Sequence, residues 1–458
     1  MSSSTTYLRA IVVACSLLPF CVSGQSNPFL PADTTVLFGR LESIAEASIA
    51  RLPDGTHPAV ADIYHERSAD LIDEIRDSSY FFVEDFQYFV EGIFDDLIEG
   101  NGLSVEPLVL ISRSPSINAS SLGDGLFVIN MGLLNRLSSA DELAFVIGHE
   151  LAHDQLAHLA DKLDYLAERR AAEPTDRKSR REYRRRLKRE GKENIMLGLR
   201  DKAYAQSRHS RTNELAADSL GAQYLANSPY QPTAAAYSLE KLREYDAFLL
   251  PTGTAAALLT TETYPFKEKW TAPPPTLFGG SFGSTEEDAA AKFWQKDSLA
   301  SHPDLEERIT LATRRVAPFP QDIAPARPAQ HLFVEPSRRE IVRAYLDHGL
   351  TAHALALSLA ALTEDRNQPF YLAAVGEALL GTYRSIQQHA FDRRIPPTAY
   401  FENDGAREML RFLHQIRNSE LRRLTLAYLD EHTTSSPDNA RIAELSEEAI
   451  HYFNTIDE

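Results

Sequence analysis

The 458-residue sequence has only two cysteines, Cys15 and Cys21, and both fall in its apolar N-terminal segment. Beyond that segment no thiol remains, which excludes disulfide staples and thiolate metal sites from the rest of the chain. Any metal must be held by His, Asp or Glu. Positive charge is also scarce, with 47 Lys and Arg against 65 Asp and Glu and a formal net charge of −18. That balance excludes a general nucleic-acid binder, which presents a strongly basic face. Long apolar runs are missing too. The run Ala10–Val22 has 13 residues, whereas a membrane-spanning helix needs about 20.

That short run follows Arg9 and ends in Val22-Ser23-Gly24, so residues 1–24 read as an export signal removed before Gln25. The location expected from it is the periplasm, or secretion. Val12-Val13-Ala14-Cys15 bears a faint likeness to a lipoprotein cleavage site, but the run before it is too short to make lipid anchoring the expectation.

What is present is an ordinary globular composition, 43% hydrophobic and 24% charged. The length exceeds one hydrophobic core, so more than one domain is expected. From about Thr34 to Gly100 apolar residues recur at helical spacing. Two β-rich runs, Glu106–Ser112 and Leu126–Asn130, then flank a stretch rich in Ser, Asn and Gly, which suggests a small sheet. Ser139 and Glu142 form a capping box at the head of a long helix. Pro318, Pro320, Pro325 and Pro328 break every helical pattern and mark a linker at 316–334. Residues 335–458 are helical again, and Ala356–Gln388 has loose tetratricopeptide-like character.

The capped helix carries His149-Glu150-Leu151-Ala152-His153. Two imidazoles at i and i+4 stand one above the other on a helix face, where both reach one metal ion. Glu150 lies beside that face, placed to take a proton from metal-bound water. Catalytic zinc takes three protein ligands and leaves one position for water. Glu214 is the candidate third ligand, because it heads Glu214-Leu215-Ala216-Ala217-Asp218, whose alanines permit close helix approach. Asp218, on the same face, suits acceptance of a ligand histidine's other ring N–H. The cofactor expected is one Zn2+ per chain.

These residues, with Asn118-Ala119, Gly125–Asn130, Asp141–Ala144 and Ser210-Arg211 in the same order, resemble gluzincin peptidase family M48 from about Leu103 to Ile309. The resemblance implies an α+β fold: a mostly helical zincin-like catalytic domain with a small sheet, at 25–315, followed by the α-helical domain. It implies Glu214 as third zinc ligand, and it places Asn118 and Ala119 on an edge strand that pairs with substrate backbone. It also implies a role for His302, which with Pro303 and with Arg308 six residues on matches a late family element. That histidine would stabilise the oxyanion or occupy the open metal position as a latch. A capping His-Pro before a helix is the plainer alternative.

The expected function is therefore a zinc-dependent endopeptidase of protein quality control, acting on unfolded or misassembled polypeptides. A chaperone or adaptor with a latched or weakly active metal site is the alternative. The C-terminal helices suit a protein partner, and the basic segment 169–189 suits a solvated face or peripheral membrane contact. The stretch 251–301 reads as a surface loop or a cover over the site.

Overall fold

Asp33 starts the first helix by accepting the Thr35 and Val36 amide hydrogens on its carboxylate, the usual work of an N-cap. In the computed structural model, which describes residues 28–56, 58–159, 163, 211–243, 250–272, 305–316, 333–401 and 403–456, this helix is α1, Thr34–Ala50. It packs against α2, Ala59–Arg76, as a helical hairpin. α3, Glu84–Asn101, buries Phe86, Val90, Ile93, Phe94 and Leu97, a stripe at helical spacing, and ends at Gly102 with φ 60°.

The sheet has three strands in the order β1-β3-β2. β1, Leu108–Ser112, runs parallel to β3, Leu126–Asn130, with Leu108 opposite Leu126 and Ser112 opposite Asn130. β2, Ala119–Ser121, pairs antiparallel with β3 and forms the edge. It lies inside the polar stretch that the composition left without a strand.

A short helix α4, Met131–Leu134, leads to α5, Ala140–Gln155. Ser139 caps α5 by accepting the Glu142 amide at 3.2 Å, and the Glu142 carboxylate reaches back over the cap to accept the Ser138 amide at 2.6 Å. Residues 211–226 form α6, Ala234–Arg243 form α7, and Thr254–Leu259 form α8. Leu305–Val316, α9, packs on α7, which in turn packs on α5.

Six longer helices and one short one complete the described chain: α10 Glu335–Asp347, α11 Thr351–Glu364, α12 Pro369–Gln387, α13 Phe391–Arg394, α14 Asp404–Gln415, α15 Asn418–Ser435 and α16 Ala440–Ile456. The chain turns between α10 and α11 at Gly349, whose φ is 69°. One buried cluster runs continuously from Phe86 to Phe453. Phe89 stacks on Phe333 at 5.4 Å, and α4 packs on α10. Residues 250–272 are strapped to the same helices, the Gly253 amide donating to Glu408 and Lys267 pairing with Glu420. Part of the expected loop thus packs on the C-terminal helices, while 273–301 lies outside the described residues, as do 169–189. No helix among the described residues is long and apolar enough to cross a membrane.

Candidate metal centre

α5 occupies the middle of the molecule, with every residue from Ala140 to Ala152 buried. Small and apolar side chains all round it make that placement favourable. Its polar exceptions are therefore informative, because buried polar groups need partners.

His149 and His153 bring their Nε2 atoms to 3.0 Å of each other. Glu214, from α6, sets Oε2 3.5 Å from His149 Nε2 and Oε1 3.4 Å from His153 Nε2. Ligand atoms about 2 Å from a tetrahedral ion stand roughly 3.3 Å from one another, so these spacings fit a single small cation. His149, His153 and Glu214 form the one such cluster among the described residues.

The surroundings favour a cation as well. Three buried carboxylates, Glu150, Glu214 and Asp218, face one buried guanidinium, that of Arg308, which is 2% exposed. Arg308 donates to Asp218 from Nε at 2.7 Å and Nη2 at 2.8 Å, and its Nη1 lies 2.9 Å from Glu214 Oε2. Asp218 Oδ1 lies 2.9 Å from His149 Nδ1, which turns the Nε2 face toward the cluster. Burial alone would drive His149 toward its neutral form. The Asp218 and Glu214 carboxylates outweigh burial and raise its pKa to about 10. Burial likewise pushes the Asp218 carboxyl up, and Arg308 and His149 pull it down to about 2. Three carboxylates against one guanidinium leave the pocket electronegative, which favours a bound cation.

Glu150 does not join the cluster. Its Oε2 accepts the backbone N–H of Ser121 at 2.6 Å. Asn118 and Ala119 line the same pocket as His149, Glu150 and Arg308, with Phe145, Val146 and Leu239. The bonds Asn130 N–H to Asn118 O and Leu122 N–H to Leu126 O turn residues 118 and 122 toward β3. By strand alternation Ala119 therefore presents its backbone polar groups on the outer edge. His158 Nδ1 lies 2.8 Å from His153 Nδ1.

The fold thus brings Asn118, Ala119, His149, Glu150 and Arg308 to one pocket and sets His153, Glu214 and Asp218 against His149 and Arg308, whereas His302 lies outside the described residues. Three contributors were not anticipated. Gly221 stands seven residues after Glu214 on the same face, a spacing visible in the sequence. Asp154 directly follows the motif, and its Oδ1 accepts the Gly125 amide at 3.2 Å. Ser121 acts through its backbone and has no side-chain signal.

A model of Peptidase family M48 matches residues 87–316, half of the chain. The chain belongs to peptidase family M48. M48 peptidases are metal-dependent, and the His-His-Glu cluster is the metal site this member offers. Among curated proteins it is 37% identical over 78 residues to "Metalloendopeptidase OMA1, mitochondrial" of Bos taurus, covering 16% of this chain and 15% of that protein. The Homo sapiens counterpart is 36% identical over 78 residues, with the same shares. "Mitochondrial metalloendopeptidase OMA1" of Arabidopsis thaliana is 43% identical over 60 residues, 13% of this chain and 12% of that protein. The chain therefore matches no more than 15% of the length of these relatives.

These relatives correct one expectation about the M48 chain. All three are named as mitochondrial, against the periplasmic or secreted location read from residues 1–24. Residues 1–24 contain Arg9, several Ser and Thr and no acidic residue, traits that organellar targeting segments share with export signals, and they lie outside the described residues.

Proposed function

We propose that this M48 chain is a zinc-dependent endopeptidase that cuts unfolded or misassembled polypeptides, and that its compartment is the one its relatives' names give, the mitochondrion. The observation that carries the chemistry is the convergence of His149, His153 and Glu214 beside an uncoordinated Glu150. These three residues hold the ion. Zinc bound there supplies Lewis acidity to a water and to the scissile carbonyl.

The remaining work falls to the chain itself. Glu150 takes the water proton and delivers it to the leaving amine. A peptide laid along β2 pairs with the outward backbone of Ala119, which sets its carbonyl beside Glu150. Asp218 holds His149 in the tautomer that presents Nε2, and Arg308 holds both Asp218 and Glu214 in place. His302 is assigned the oxyanion or latch role on family resemblance alone. The C-terminal helices are assigned to a protein partner and segment 169–189 to peripheral membrane contact.

The alternative, a chaperone or adaptor with an idle site, gives no reason for Glu150 to be buried and oriented next to the ligand cluster. Elemental analysis of purified protein with casein hydrolysis in parallel separates the two. One zinc per chain and hydrolysis abolished in Glu150→Gln supports the peptidase. Zinc without hydrolysis in the wild type transfers the assignment to the chaperone, and a protein that binds no zinc overturns the peptidase.

A further inference from the structure

The turn joining β2 to β3 is Gly123-Asp124-Gly125, and all three residues have positive φ, at 82°, 55° and 77°. For Asp124 this is an uncommon conformation that persists only where the surroundings hold it. The turn lies two residues from Ser121, whose N–H orients Glu150. Any slack in it reaches the base directly.

Most of the side chains that hold it come from α1 and α2, outside the family-matched region 87–316. On α1, Ser48 Oγ donates to Asp124 Oδ2, and Arg51 Nη2 donates to Asp124 Oδ1 at 2.6 Å. On α2, Arg67 Nη1 donates to the carbonyl of Leu122, and its guanidinium lies 4.7 Å over the Tyr64 ring. From the opposite side Asp154, one residue beyond His153, accepts the Gly125 amide. The hairpin that carries the edge strand is therefore gripped between the N-terminal helices and the motif helix.

We infer that the α1–α2 hairpin is a clamp that positions Glu150 through the β2–β3 turn, with Arg67 and Arg51 as its positioning residues. The inference rests on the peptidase reading for its effect on turnover, but the clamp itself is measurable without catalysis. Neither arginine touches the metal cluster or the pocket. Arg67 acts on a backbone carbonyl, so lysine at this position retains a donor, whereas alanine does not.

The test compares wild type, Arg67→Ala, Arg67→Lys and Arg51→Ala in the full chain. Amide hydrogen exchange is followed across residues 119–127, with kcat and KM on casein and zinc content alongside. Arg67→Ala is expected to speed exchange in this hairpin and to lower kcat about tenfold, with KM changing less. Zinc content stays at the wild-type level, and Arg67→Lys recovers much of both losses. Should Arg67→Ala fail to fold, Arg51→Ala, whose side chain is largely exposed, decides by the same readouts. Unchanged exchange and unchanged kcat in a folded arginine variant overturn the clamp. A wild type without hydrolysis overturns the peptidase reading instead, and leaves the exchange result to judge the clamp.

Discussion

Gly221 packs so tightly on His149 that a Cβ at Gly221 would stand 2.8 Å from the His149 backbone nitrogen and 2.9 Å from its Cα. Gly148 reciprocates, its own Cβ position lying 3.2 Å from the Gly221 carbonyl oxygen. The two glycines let α5 and α6 touch backbone to backbone. Only at that separation does Glu214, two turns earlier on α6, reach between the two histidines.

Gly221→Ala should therefore act on the metal site from a distance. The methyl group meets backbone rather than a movable side chain, so α6 must shift outward, at a cost of about 1–3 kcal/mol. The expected result is a lower Tm and a faster loss of metal on dialysis against a chelator. A variant with wild-type metal retention would show that the helices tolerate the wider spacing.

Arg308 balances Glu214 and Asp218 in a buried setting. Arg308→Ala leaves both carboxylates short of their partner and should destabilise the protein by about 3–5 kcal/mol. Arg308→Lys keeps the charge but not the two-pronged fork on Asp218, and should recover only part of the loss. Thermal unfolding with and without added zinc checks this. The deficit should be larger without metal, because a bound cation takes over part of the charge balance.

The C-terminal helices share the core of the catalytic region. Removing α10–α16 uncovers the face of α4 and the ring of Phe89, and it strips Arg113 of its buried partner Glu340. A chain ending at residue 316 is expected to aggregate or lose its cooperative unfolding transition, as read by soluble yield and circular dichroism. A soluble, cooperatively folding truncated chain would establish the family-matched region as self-sufficient.

His353 on α11 is enclosed by rings, stacked on Tyr345 at 4.9 Å and edge-on to Phe401 at 5.5 Å. Burial lowers its pKa from 6.5 to about 4. As pH falls below 6.5 the unfolded chain therefore takes up a proton that the folded chain refuses, and stability drops until pH reaches about 4. The full effect is on the order of 3 kcal/mol. His353→Phe should flatten the dependence of Tm on pH in that window while leaving Tm near neutral pH little changed.

The local chemistry was legible in the chain itself. The i, i+4 histidines, the glutamate between them, the Ser139 cap and the Glu214–Asp218 pair follow helical geometry, which is set by near neighbours along the backbone. Their types and spacings alone specified an HExxH metal helix and nominated its third ligand. The mostly helical pattern with a small sheet was likewise readable, because periodicity of apolar residues reports each element's buried face.

Long-range contacts were not legible. A three-residue edge strand has too few residues to show a period, so β2 was indicated only by the family resemblance at Asn118-Ala119 and takes its bounds from pairing with β3. The buried cluster that joins Phe86 to Phe453 rests on packing between helices distant in the chain, which leaves no trace in local sequence. The approach of Gly221 to His149, the fork of Arg308 on Asp218 and the hold of Ser121 on Glu150 each join residues far apart in the chain. Sequence determined which groups were available for the chemistry, and tertiary packing alone decided which were brought within bonding distance.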